Sequence, residues 1–199
     1  KTGADAIKCQ LYQPSHFPEA EQSSKYQTMF PRPLFKKFVD LSHEHGLLCG
    51  ASVFDDEAVG LCVDCGADYL KLATREWHNH NLYHKCIYTG LPIIRSYDWS
   101  SEMFKAASGV LMMACIPQYP IINPSIPSEM QIVDAESQVW GWSSHTSDWL
   151  DVLLAVSRGA CVIEKHFAMS DIDYEHGWSL DPVQFAQMIN DIRRVERMR

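Results

Sequence analysis

No stretch of this chain approaches the roughly 18 to 20 consecutive apolar residues that a membrane-spanning helix needs, and no signal-peptide pattern is visible at its start. Positive charge is scarce too: 17 Lys and Arg stand against 25 Asp and Glu, for a net charge of -8 and a pI near 5.5. Nucleic acids and anionic membranes reward a basic surface, so neither is an expected partner. Any anionic ligand has to be held by a local cationic pocket. No Gly-x-Gly-x-x-Gly follows the first predicted strand, which removes the usual mark of a dinucleotide site. Low-complexity tracts are absent as well.

What is present is a chain of 199 residues, 46% of them hydrophobic, enough to bury a sizeable core as one domain over 1–199. Its seven cysteines are odd in number, and most sit in apolar strand-like runs. That usage fits reduced, buried thiols and a cytoplasmic location. Cys62 and Cys65 form a C-x-x-C with no second pair, inside a segment that reads as a helix, so they are taken as packing residues.

Short apolar runs alternate with amphipathic segments along the chain. Strands are predicted at 4–10, 47–52, 68–73, 92–96, 110–115, 138–143 and 160–166, and helices near 32–46, 55–65, 80–89, 100–107, 127–136, 148–158 and 181–198. Parallel neighbours need a crossover of helix length, so seven strand-helix units imply a parallel sheet. Functional-looking residues recur at the ends of nearly every strand. An open sheet concentrates its site at one switch point, whereas a barrel collects such residues at its mouth. The expected fold is therefore α/β, a TIM (β/α)8-type barrel, incomplete, with strands 2 to 8 in this chain and a first strand lying before it. Residues 11–31, rich in Pro, Ser, Gln and Glu, are expected as a loop over the mouth. His78, His80 and His84 lack the Glu of an H-E-x-x-H arrangement and read as a solvated helix face.

His145, in Gly141-Trp142-Ser143-Ser144-His145-Thr146, and His166, in Val162-Ile163-Glu164-Lys165-His166-Phe167, each end a predicted strand. A single histidine there is more often a hydrogen-bonded core residue. Strands rise roughly 3.3 Å per residue, so two parallel neighbours ending in register offer both imidazoles to one cation. Two histidines leave positions open for water or substrate oxygen, which suits a catalytic divalent cation: manganese, magnesium or zinc. Strand ends also bring Lys8, Gln10, Ser52, Lys71, Thr74, Glu76, Ser96, Tyr119 and Ser143 toward the mouth. Lysine within an apolar strand is costly unless its ammonium meets an anion, so Lys8 and Lys71 point to a phosphate or carboxylate ligand.

These residues fall in motifs that resemble the N-acetylneuraminate (sialic acid) synthase family over nearly the whole chain. Gly3 to Gln10 is similar to that family's GADAxKxQ strand, Tyr69 to Glu76 to its YKIxSGE, and Gly141 to Thr146 to its GxSDHT. Val162 to Phe167 matches its VIEKHF, and Glu175 to Pro182 its DHxxSLxP. The resemblance implies a TIM barrel that condenses phosphoenolpyruvate with an N-acetylated aldose, N-acetylmannosamine-like, to give a sialic-type acid and phosphate. It implies His145 and His166 as ligands of a divalent metal, manganese first, and Lys8, Ser52, Lys71, Thr74 and Ser143 around phosphoenolpyruvate. Gln10, Glu76, Tyr119 and Glu175 fall where the family contacts the amino sugar, with Glu76 placed for proton transfer.

Several positions depart from the pattern. Arg75 replaces a glycine, where it either clamps phosphate or obstructs it. Ser96-Tyr97-Asp98-Trp99 replaces a Ser-Thr-Gly-Met run, and Ala114 to Pro120 replaces HCTxxYP while keeping Tyr119. Ser144 replaces the aspartate before the metal histidine, removing a candidate outer partner of that ligand. The family's N-H-x-G strand and its C-terminal antifreeze-like domain, which reaches into the partner subunit, have no counterpart here; a homodimer is the assembly such a plan implies. Two other readings stand beside this one: a phosphoenolpyruvate-aldose synthase of the 3-deoxy-ulosonate type, and a catalytically silent sugar-acid or phosphate-binding scaffold.

Overall fold

A computed structural model of the chain describes residues 2–99, 109–122, 124, 126, 140–169 and 175–199. Its contacts divide into two units, residues 4–95 and residues 96–199 with the first three. The predicted helices at 100–107 and 127–136 lie outside the described residues.

In the first unit, β1 (Ala6–Leu11), β2 (Leu48–Val53), β3 (Tyr69–Leu72) and the start of β4 (Ile93–Asp98) pair in parallel and in chain order. Helices α2 (Phe35–Glu44), α3 (Asp56–Cys65) and α4 (His80–Tyr88) supply the crossovers that parallel pairing requires. Their ends follow local chemistry. Asp55 caps α3 by accepting from Ala58 N, Asn79 caps α4 by accepting from Leu82 N, and Gly66 closes α3 at φ +78°. Period-two alternation turns Cys9, Leu11, Ala51, Val53, Leu70 and Leu72 to one face, all buried, and Lys8, Gln10, Ser52 and Lys71 to the other. Gly50 lies under the ring of Tyr69, where a Cβ would come within 2.5 Å of the ring, and the Tyr69 hydroxyl crosses to donate to Ile7 O at 3.1 Å.

The connection after β1 differs from the expected loop, because it holds a helix, α1 (Glu19–Thr28). No residue of α1 is buried, so it carries no apolar stripe for periodicity to detect. Its signals are local: Pro18 stands just before it, and Glu19 and Glu21 in the first turn suit the positive end of the helix dipole.

In the second unit, β5 (Val110–Cys115), β6 (Trp140–Ser144), β7 (Val162–Phe167) and β8 (Ser179–Leu180) again pair in parallel and in chain order. Helix α5 (Leu150–Ser157) links β6 to β7, and α6 (Pro182–Glu196) follows β8. Gly141 is required where β6 meets β7, since a Cβ there would lie 2.8 Å from Val162 O. Asp181 and Gln184 form a reciprocal capping box at the start of α6. β8 is an eighth strand among the described residues, where the sequence pattern yields seven. Two residues are too few for an alternation to register, and Ser179 and Leu180 read instead as the approach to α6.

Candidate active site

The candidate residues form two clusters, one in each unit. In the first, Lys8 Nζ donates to Ser52 Oγ at 3.2 Å. Lys71 stands in register with Ser52 and is 4% exposed, so its ammonium is buried on the face that also carries Gln10. Thr74, Arg75 and Glu76 follow in a short 3-10 turn beyond β3. Arg75 reaches back to the connection after β1: its guanidinium lies 4.0 Å from the Phe17 ring centroid, and Nη2 donates to His16 O at 3.1 Å. The Glu76 carboxylate accepts from Asn79 Nδ2 at 2.9 Å and lies 3.5 Å from Arg75 Nε. Ser96, on β4 where the second unit begins, is buried, and its Oγ has no hydrogen-bond partner among the described residues.

The second cluster gathers the two histidines. Strands β6 and β7 are in register, Ser143 opposite Glu164, so His145 and His166 project from neighbouring strand ends. Their ring centroids are 5.4 Å apart. His145 Nδ1 meets the carbonyl of Ile116 at 3.0 Å; a carbonyl can only accept, so the proton sits on Nδ1. Its Nε2 faces Ser143 Oγ at 3.3 Å, a hydroxyl whose proton is donated to Glu164 Oε2 at 2.7 Å. His166 Nδ1 lies 2.8 Å from Glu175 Oε2, which fixes the same tautomer. Both imidazoles therefore present Nε2 as the basic nitrogen, each oriented from behind by an acceptor, as metal-binding histidines commonly are. Tyr119 stacks at 4.2 Å from the His145 centroid and 6.1 Å from that of His166, with Trp178 at 5.6 Å from Tyr119.

No group of three or more His, Cys, Asp or Glu with metal-holding geometry occurs among the described residues. Two imidazoles at neighbouring strand ends, with ring centroids 5.4 Å apart, nevertheless fit a cation whose other positions are open. Glu175, expected at the sugar, is placed on His166. Ser144 does not leave His145 without an outer partner, because position 144 points to the opposite, helix-facing side of β6, where Ser144 Oγ donates to Asp151 Oδ1 at 3.1 Å. Beside it, burial pulls the Lys165 ammonium down to about 8, opposed by the charges of Asp151 and Asp148. Residues missed from sequence are Glu164, Trp178, Asp151 and Lys165. Glu164 was detectable, since it precedes His166 by two residues on one strand and must share its face.

This is the strand-and-helix succession of an α/β TIM-type barrel, with an imidazole pair at adjacent strand ends. The NeuB family model matches residues 1–199, and the chain belongs to that family. It is 28% identical over 220 residues to an uncharacterized protein of Methanocaldococcus jannaschii, covering 100% of this chain and 64% of that protein. It is 26% identical over 233 residues to the N,N'-diacetyllegionaminic acid synthase of Legionella pneumophila, covering 98% of this chain and 65% of that protein. The crystal structure of the N-acetylneuraminic acid synthetase of Leptospira borgpetersenii superposes with a TM-score of 0.83 at 21% identity, covering 99% of this chain and 75% of that one. The chain thus spans slightly less than two thirds of the length of the first two relatives. No helix among the described residues is long and apolar enough to cross a membrane.

Proposed function

We propose that the chain carries the catalytic barrel of a divalent-metal-dependent synthase that joins phosphoenolpyruvate to an N-acetylated aldose, giving a nonulosonic acid and phosphate. The observation that carries this reading is the imidazole pair, with rings 5.4 Å apart and both Nδ1 protons committed to acceptors. Membership of the NeuB family and the name of the Legionella relative support the substrate class. In this reading His145 and His166 would hold the cation, manganese first and magnesium or zinc as alternatives, which would supply Lewis-acid polarisation of the aldehyde oxygen.

The remaining work belongs to the chain's own residues. Lys8, Lys71 and Ser52 bind the phosphate and carboxylate of phosphoenolpyruvate, with Thr74, Ser96 and Ser143 as further hydroxyl contacts. The enol carbon then forms a bond to the aldehyde carbon, whose oxygen takes up a proton, and Glu76 is the residue proposed to deliver or remove a proton in the reaction. Water adds to the oxocarbenium carbon so formed, and phosphate leaves by C–O cleavage to give the keto acid. Gln10 and Tyr119 line the acceptor side, while Arg75 holds the connection after β1. Both lysines meet charge already present in the ground state, so they act mainly on binding.

The test is phosphate release from phosphoenolpyruvate with manganese and a panel of aldoses. Release with N-acetylmannosamine or a related N-acetylated aldose, abolished by chelation, is the expected result. Release only with unacetylated phosphorylated aldoses would transfer the chain to the 3-deoxy-ulosonate class. Phosphoenolpyruvate binding with no turnover under manganese, magnesium or zinc would make it a silent scaffold.

A further inference from the structure

Behind the imidazole pair, on the helix-facing side of β6, three side chains at alternate positions converge on one carboxylate. Trp142 Nε1 donates to Asp151 Oδ2 at 2.8 Å and Ser144 Oγ to Asp151 Oδ1 at 3.1 Å, while the Thr146 hydroxyl proton is shared between Asp151 Oδ1 at 3.0 Å and Asp148 O at 2.9 Å. Asp151 belongs to the first turn of α5 and is 3% exposed. A carboxylate this deep requires several donors and a nearby counter-charge. The counter-charge comes from β7: Lys165, in register with Ser144, donates to Ser144 Oγ at 3.0 Å and to Thr146 O at 2.5 Å.

The connectivity of this cluster gives it a second consequence. Ser144 and Thr146 are the two chain neighbours of His145, and Lys165 immediately precedes His166. Alternation along a strand sends neighbouring side chains to opposite faces. Asp151 therefore holds, from the helix side, the residues that flank His145, and through the Ser144–Lys165 hydrogen bond it is linked to the segment that carries His166. Loss of this grip frees the peptide units on both sides of His145 to rotate, and a small change in those dihedrals moves a ring nitrogen by a sizeable fraction of an ångström.

We propose that Asp151 is a positioning residue: its carboxylate, through Ser144, Thr146 and Lys165, fixes the mutual orientation of His145 and His166. The inference deepens the proposed metal-binding reading and rests on it for its functional meaning, but the orientation itself can be read without any metal.

The test compares the full chain with Asp151→Asn, and with an exchange in which Asp151→Ser is combined with Ser144→Asp so that a carboxylate stands directly beside Lys165. Imidazole nitrogen chemical shifts are recorded in the metal-free proteins, and manganese affinity is then measured by calorimetry. Asp151→Asn, folded by circular dichroism, is expected to shift the His145 and His166 nitrogens and to weaken manganese binding about tenfold or more, the size seen when an outer partner of a ligand is removed. The exchange is expected to restore most of both. A folded Asp151→Asn protein with unaltered imidazole shifts would overturn the proposal. If Asp151→Asn fails to fold, a folded exchange protein decides: native-like shifts support the proposal, and disordered ones contradict it. Absence of manganese binding in the unmodified chain would refute the metal reading, while the metal-free shifts would still decide the role of Asp151.

Discussion

Nδ1 of His166 and Oε2 of Glu175 lie 2.8 Å apart, so the carboxylate fixes the tautomer of an imidazole whose Nε2 is then the basic atom. This pairing puts Glu175 against a proposed metal ligand, where motif resemblance alone points to the sugar. Glu175→Ala is expected to weaken manganese binding by about 10- to 100-fold, the usual cost of losing such a partner. A metal titration beside an acceptor saturation curve checks it: unchanged metal affinity with a raised acceptor KM would return Glu175 to the sugar.

Lys71 is buried on an apolar strand, and its ammonium has given up most of its hydration. In the proposed reading this ammonium meets the phosphoenolpyruvate anion. Lys71→Met is expected to raise the KM for phosphoenolpyruvate at least as much as it lowers kcat, with the fold retained. Steady-state kinetics measure the first and urea unfolding checks the second.

Gly50 has a steric reason for its identity. A methyl group there would sit 2.5 Å from the Tyr69 ring, which is anchored at its far end by the bond to Ile7 O. Gly50→Ala is expected to cost about 1–3 kcal/mol, the range for overpacked cores. Combining it with Tyr69→Ala should remove the steric part of that loss, and chemical denaturation of the single and double variants tests the coupling.

The cysteines divide by burial. Desolvation pushes the Cys62 and Cys86 thiols up to about 12 and raises those of Cys9 and Cys49, so at pH 8 almost none is thiolate. Cys161 is exposed. Alkylation of the native protein at pH 8 is expected to label Cys161 first and the buried thiols only on unfolding. Mass spectrometry of a time course reads this directly, and early labelling of Cys62 would contradict the packing role given to its C-x-x-C.

Much of this arrangement is legible in the sequence, and the limits have physical causes. The seven longer strands show themselves by apolar runs between helix signals, and His145 and His166 follow from their places at two such ends. α1 escapes because nothing on it is buried, and β8 because two residues carry no period. Asp151 escapes for another reason: a carboxylate in an apolar helix turn looks like a solvent-facing residue until Trp142, Ser144 and Thr146 are seen to converge on it. Arg75 could be placed at the site from its motif, but only coordinates show its guanidinium stacked on Phe17.

Central to the proposed function is that His145 and His166 hold one cation together. Calorimetric titration of manganese into the unmodified chain and into His145→Ala and His166→Ala measures this. One site per chain, lost in either variant while the fold is retained, is the predicted result; undiminished binding in both variants would contradict the account.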